Sequence, residues 1–409
     1  MSGLNAGDTA WLLMSTAMVM VMLPGLALFY GGLVRRKNVL STIMHSFFGL
    51  ALVSVVWVLV GFSLAFGPDT NGAGLIGGLD FVGFNNVGLE PNPAYGATIP
   101  FVLFASFQLM FAAITPALIT GAFAERKRFG AFVLFTVLWS VVVYSPLAHW
   151  VWSPDGWLHK LGALDFAGGT VVHISSGVSA LVAAIIIGKR REAETEMFVP
   201  HDVPMTVLGA GLLWFGWFGF NAGSALAANG QAANALLVTN TAAGAAMLTW
   251  VLASYLHRGK VSVVGAAAGA VAGLVAITPA SGYVTAGGAV LIGLGAGGLC
   301  YSATLLRERL HVDDALDVFA VHGVGGMFGA VATGVLAVAA IGGVGGFIQG
   351  NFGQVFVQIA AVAATVAFAA GATYVIVKVV DFVLGLRVEP EAEQMGLDLS
   401  VHGEAAYQL

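Results

Sequence analysis

Eleven long apolar stretches dominate this chain, and each is about the 20 residues that a helix needs to cross a bilayer. They run roughly over 9–33, 40–66, 99–123, 129–152, 165–188, 203–226, 232–256, 261–279, 285–305, 315–340 and 353–380. Only 9% of the 409 residues are charged and 58% are hydrophobic, against about 25% charged in an ordinary soluble domain. A soluble enzyme is thereby excluded, and the reading is an all-α integral membrane protein. The segment before the first stretch, MSGLNAGDTA, has no basic region, so that stretch reads as a first span rather than a signal peptide. A single cysteine leaves no disulfide framework and no paired-cysteine metal motif.

Orientation comes from the basic residues. They fall in small groups after alternate stretches: Arg35–Lys37, Arg126–Arg128, Lys189–Arg191, Arg258 with Lys260, Arg307 with Arg309, and Lys378 with Arg387. Fifteen of the 16 therefore lie on one face, and only Lys160 falls on the other. The positive-inside rule makes that face cytoplasmic, with the N-terminus outside and the C-terminus inside. Scattered groups and a net charge of −5 give no basic stripe for nucleic acid. The expected organisation is one transmembrane domain over 1–380 and a cytoplasmic tail over 381–409. No polar segment is long enough for a further fold. Glycine is abundant, at 56 residues, and steps such as Gly265, Gly269, Gly273 point to close helix packing.

Two segments echo each other. Ala163-Leu164-Asp165 leads to His173 in the fifth span, and Ala315-Leu316-Asp317 leads to His322 in the tenth. Spans five apart run in opposite directions, so the pattern is a five-plus-five inverted repeat, halves about 9–188 and 203–340, followed by a last long helix at about 353–380. Sites in such repeats lie near the midplane where the halves meet. At ~1.5 Å per residue, His173 and His322 approach that plane from opposite sides, roughly 12 and 10 Å from their helix ends. An isolated buried histidine is ordinarily a satisfied structural residue. A matched pair inside the membrane points to function. His45, about a turn inside span 2, reads as an interface anchor.

The chain resembles the ammonium transporters of the Amt/Mep/Rh superfamily, within it the bacterial and archaeal Amt branch. The resemblance rests on LPGLALFYGGLVRRKN (23–38), FAERKRF (123–129), GALDFAGGTVVHISSG (162–177), WFGWFGFNAGSALAAN (214–229), GAVAGLVAITPASGY (269–283), HVDDALDVFAVHGVGG (311–326) and GLDLSVHGEAAY (396–407). It implies eleven helices, a homotrimer in the cell membrane with one pore per subunit, and no cofactor. It also implies ammonium or ammonia as substrate, with methylammonium a candidate, and a trimeric PII-type signal protein as partner at the cytoplasmic face. Carried over, the pore histidines are His173 and His322. The outer recruitment site is Phe111, Trp152 and Ser224 with Phe107 beside them and Asp165 near, and the stacked phenyl gate is Phe111 with Phe220. One extra residue between Trp152 and Asp165 leaves outer-loop contacts open.

These residues also make sense chemically. An aromatic face can replace part of a cation's hydration shell, although Trp152, like Trp150 and Trp157, equally fits a membrane-interface belt. Phe107 and Phe111 are four apart, as are Phe220 and Ser224, so each pair shares a helix face. Asp165, just before a span, is placed either to cap it or to attract a cation. Against transport stands an intramembrane metalloprotein on the two histidines, but HExxH and GxSG motifs are missing and two ligands are few for catalytic zinc. A sensor role would need a fused signalling domain. The expected function is therefore uptake of ammonium by recruitment, deprotonation and passage of ammonia with a proton relay.

Overall fold

A computed structural model describes residues 3–191 and 198–407. Among the described residues helices are the only regular elements, joined by turns and loops that hold three isolated β-bridges. Ten helices are long and apolar enough to cross a membrane: α1 Ala6–Leu33, α2 Arg36–Phe66, α3 Phe101–Phe123, α4 Phe129–Leu161, α5 Gly169–Ile187, α6 Val203–Gly223, α7 Gly230–Arg258, α9 Ala286–Arg309, α10 Phe319–Leu336 and α11 Gly353–Leu384. The remaining stretch forms α8, Val263–Ile277, of 15 residues. It is shorter than expected because Thr278–Tyr283 leave the helix in turns.

Local chemistry sets several starts. Asn5, Asp202, Asn229, Ser262 and Thr285 each accept a backbone N–H from the first turn of their helix, the usual use of these side chains at a helix start. Gly265, Gly269 and Gly273 do pack closely: an added Cβ at Gly273 would stand 2.4 Å from the Ala242 carbonyl of α7.

Helix α1 packs along α6, and α5 along α10, the members that a five-plus-five repeat makes equivalent. The second pair meets backbone to backbone. A Cβ at Gly177 of α5 would stand 2.2 Å from the Gly323 nitrogen of α10, so only glycine admits this approach. Both helices open on a π-helical turn, Gly169–Ile174 and Phe319–Gly323, and these turns carry His173 and His322. Such turns are rare and cluster at functional sites.

Both histidine helices begin deeper than expected. α5 starts at Gly169 rather than near 165, and α10 at Phe319 rather than near 315, so each histidine lies in the first turn of its helix. The chain before each is buried but not helical: Asp165 is 7% exposed and Asp314 0%.

The tail turns back across the end of the bundle where the basic groups gather. Asp398 accepts N–H bonds from Leu40 and Ser41 at the start of α2, and Leu397 donates to Asn38. Glu393 pairs with Arg387, and Arg128 with Glu389. Arg35 pairs with Glu125, and Arg190 with Asp313, between the helix ends. Burial would raise the Asp313 carboxyl, yet the Arg190 hydrogen bonds hold it at about 2.

Candidate functional site: an aromatic mouth and a paired-histidine pore

Three cavities follow one another through the bundle. The first, at the end expected to face outside and hence called the outer one, is about 230 Å³ and is lined by Trp152, Phe111, Ser224, Gln108, Tyr95 and their neighbours. The middle one, about 10 Å³, is bounded by Phe220, Trp217, His173 and His322, which is roughly the space of one water-sized sphere. The inner one, about 920 Å³, is reached past His322 and Tyr30 and opens among Lys189, Arg190, Asp313 and Asp317. His322 borders both the middle and the inner cavity. Phe111 borders the outer and Phe220 the middle.

The two rings between those cavities are stacked, with centroids 4.1 Å apart and planes at 28°. Both are buried. Stacking of two aromatic rings is favourable in itself, and both of these rings are apolar. Trp152 stands edge-on to Phe111 at 5.8 Å, and its indole N–H donates to the Asp165 carbonyl at 3.0 Å. Ser224 donates its hydroxyl to the Phe220 carbonyl at 2.8 Å, so its oxygen lone pairs remain free to accept. Phe107 is buried behind Phe111, edge-on at 4.9 Å, and is absent from the lining of the outer cavity.

Asp165 caps α5. Its carboxylate accepts from the backbone N–H groups of Gly168, Gly169, Thr170 and Val171 and from the Thr170 hydroxyl. A carboxylate so engaged at a helix N-terminus is stabilised by the N–H groups and dipole it caps, and it holds the turn that carries His173. The sequence echo paired Asp165 with Asp317, but by position the counterpart is Asp314. Each lies eight residues before its histidine, and Asp314 accepts the Phe319 N–H at the start of α10. Asp317 instead pairs with Arg307.

Inside the middle cavity the histidine rings lie nearly parallel, centroids 5.3 Å apart, with Nδ1 to Nδ1 at 3.2 Å. One Nδ1 must carry the proton and the other a lone pair, so the contact assigns the two rings opposite tautomers. The indole of Trp217 stacks on His173 at 5.4 Å and is anchored by its N–H to Thr278 at 2.9 Å.

Two residues stand elsewhere than expected. His45 is 2% exposed and packs among Phe123, Phe129 and Phe132, inside the bundle rather than at an interface. Trp150 is 8% exposed and donates to the Leu75 carbonyl, so it is no belt residue. Trp217 and Gln108 went unnoticed in the sequence. An amide in the apolar run from Phe101 to Phe111 was the one signal available for Gln108. Among the described residues, no group of three or more His, Cys, Asp or Glu is placed to hold a metal ion.

A helical bundle crossed by a narrow apolar passage, wide at both ends, defines a membrane transport protein. The chain belongs to the ammonium transporter family: the family described as "Ammonium Transporter Family" matches residues 10–407. It is 50% identical to the ammonium transporter of Bacillus subtilis (strain 168) over 408 residues, 99% of either chain. It is 48% identical to ammonium transporter Amt1 of Archaeoglobus fulgidus, covering 99% of this chain and all of that one. The crystal structure of Saccharomyces cerevisiae Mep2 superposes with a TM-score of 0.89 at 39% identity, over 95% of this chain and 88% of the other. The family is one of transporters rather than enzymes, and this chain is a multi-pass membrane protein.

Proposed function

We propose that this ammonium transporter takes NH4+ from outside at the aromatic mouth, removes one proton near the phenyl gate, and passes neutral ammonia past His173 and His322 to the inner cavity. The observation that carries the reading is the 3.2 Å contact between the two imidazoles in a cavity of about 10 Å³. A cation there loses its water, and the apolar rings of Phe111 and Phe220 offer no compensating oxygen. Neutral ammonia avoids most of that cost. The balance is NH4+ to NH3 plus H+. Imidazole is the side chain suited to accept and return a proton near neutral pH, and the Nδ1 contact gives the proton a path between the rings.

At the mouth, Trp152 and Phe111 supply ring surface for the cation and Ser224 supplies an oxygen. Phe107 supports Phe111 from behind, and Asp165 fixes both the Trp152 indole and the start of α5. The N-terminus is outside and the tail inside, a reading supported by the basic groups gathered where the tail docks. The single transmembrane unit over 1–380 assembles as a homotrimer, with the tail over 381–409 and the inner mouth as the face for a PII-type protein.

The test is current recording on proteoliposomes given ammonium pulses. Saturating inward currents with ammonium and none with K+ or Na+ are expected, and His173→Leu or His322→Leu should abolish the current or turn the pore into an ion leak. K+ currents equal to those of ammonium in the wild type would overturn the deprotonation step.

A further inference from the structure

We infer that Gln108 is a ligand of the outer cation site, accepting an N–H of the bound ammonium through its side-chain carbonyl. This rests on the outer-site reading above and adds to it a second oxygen.

Gln108 lies on α3 four residues after Phe104 and three before Phe111, a spacing that puts all three on one helix face. All three line the outer cavity, together with Trp152 and Ser224. Gln108 is 8% exposed, and its Oε1 has no hydrogen-bond partner in the protein. A buried amide oxygen without a partner is costly and uncommon. An apolar side chain of similar volume would fit the same helix face without that cost, so the amide needs another reason to be there.

The other polar groups of this mouth are already committed. The Tyr95 hydroxyl donates to the Phe66 carbonyl and meets the Ser153 hydroxyl on its acceptor side at 3.5 Å, the Trp152 indole donates to the Asp165 carbonyl, and the Asp165 carboxylate is taken up by the start of α5. Ser224 keeps acceptor lone pairs after donating to Phe220. Gln108 is the remaining oxygen. Nothing holds it where it stands, so a half-turn of the terminal amide can present it to the cavity without breaking a hydrogen bond to that oxygen.

The chemical class of ligand follows. The mouth offers ring surface and two oxygen acceptors but no carboxylate with open lone pairs. That set suits a small monovalent cation carrying N–H donors, which can direct two hydrogen bonds to oxygens and turn the rest of its charge to the rings. It suits neutral ammonia poorly, since the rings then contribute little. Gln108 therefore acts on capture and not on passage through the gate.

The experiment is the ammonium current of the full-length protein in proteoliposomes, measured as a function of concentration for the wild type, Gln108→Leu, Gln108→Glu and Trp152→Leu. Gln108→Leu should raise the half-saturating concentration about three- to tenfold, the range for losing one hydrogen bond of ordinary net strength. The effect should fall on half-saturation rather than on maximal current. Gln108→Glu retains an acceptor and should keep half-saturation at or below the wild-type value. If Trp152→Leu shifts half-saturation and Gln108→Leu does not, the Gln108 assignment fails and the outer site stands. If neither shifts it, the outer-site reading fails and takes this inference with it. A lower maximal current at unchanged half-saturation in Gln108→Leu would make the residue structural. Should Gln108→Leu not fold, a raised half-saturation in Gln108→Glu overturns the assignment, and a value at or below wild type supports it.

Discussion

Gln358 of α11 clasps the segment that leads into the histidine helix α5, and removing the clasp should be costly in a calculable way. Its amide oxygen accepts the Leu164 N–H at 2.7 Å, and its amide nitrogen donates to the Leu164 carbonyl at 2.8 Å and to the Ala330 carbonyl at 2.9 Å. The side chain is 1% exposed. Gln358→Leu keeps the volume but leaves the Leu164 N–H and carbonyl, both in a buried non-helical strap, without partners. Each orphaned group costs about 1–3 kcal/mol, so the pair costs about 2–6 kcal/mol. The Ala330 carbonyl lies within a helix and adds less. Part of the loss is offset by the apolar burial of leucine, leaving about 3 kcal/mol. The strap should open more often by the corresponding factor, about 150-fold. Hydrogen exchange of the Leu164 amide reads this directly, and peptides over 162–171 should exchange faster while α1 and α6 keep their protection. Because Asp165 sits next in sequence, half-saturation for ammonium should rise as well. An exchange rate at Leu164 within threefold of wild type would refute the accounting, since it would mean the amide contributes little to holding the strap.

Three further outcomes are expected. Trp152→Leu should raise the half-saturating ammonium concentration, because a desolvated cation–π contact is worth up to ~2 kcal/mol; an unchanged concentration dependence in folded protein would reduce Trp152 to its hydrogen bond with Asp165. Truncation after Arg387 removes the Asp398 cap on α2 and the Glu393 pairings, and should lower activity and capture of a PII-type protein without unfolding the bundle. Full transport with full capture would contradict both parts. Burial, reinforced by the nearby Asp317 carboxylate, pushes Asp314 up to about 6. Unfolded, it would titrate near the ordinary ~3.9, so folded protein holds a proton that the unfolded chain has lost, and stability should fall as pH rises from about 4 through about 6. Asp314→Asn should flatten that fall in melting temperature, and an unaltered slope would assign it to other groups.

Much of the architecture was legible in the residues. Apolar runs of bilayer length report helices directly, since a backbone in hydrocarbon must satisfy its own hydrogen bonds. The alternation of basic groups supplies the expected orientation, by the positive-inside rule. The candidate pore histidines stood out because an ionisable group at depth needs a purpose. The stacked phenyl pair did not stand out in this way. Among 27 phenylalanines, only the resemblance to known transporters singled out Phe111 and Phe220.

What the sequence determined by itself was the class of the protein: a many-spanned helical bundle with two matched histidines on antiparallel elements. Tertiary structure decided the rest. Asp317 looked like the partner of Asp165, yet Asp314 caps α10, because a cap is defined by which N–H groups come within reach and not by the letters around it. Phe107 went behind Phe111, and His45 and Trp150 went into the core. Helical spacing says which residues share a face but not which face meets the cavity. Gln108 became visible only when its oxygen was found without a partner, a property of the space around a side chain that no linear pattern contains.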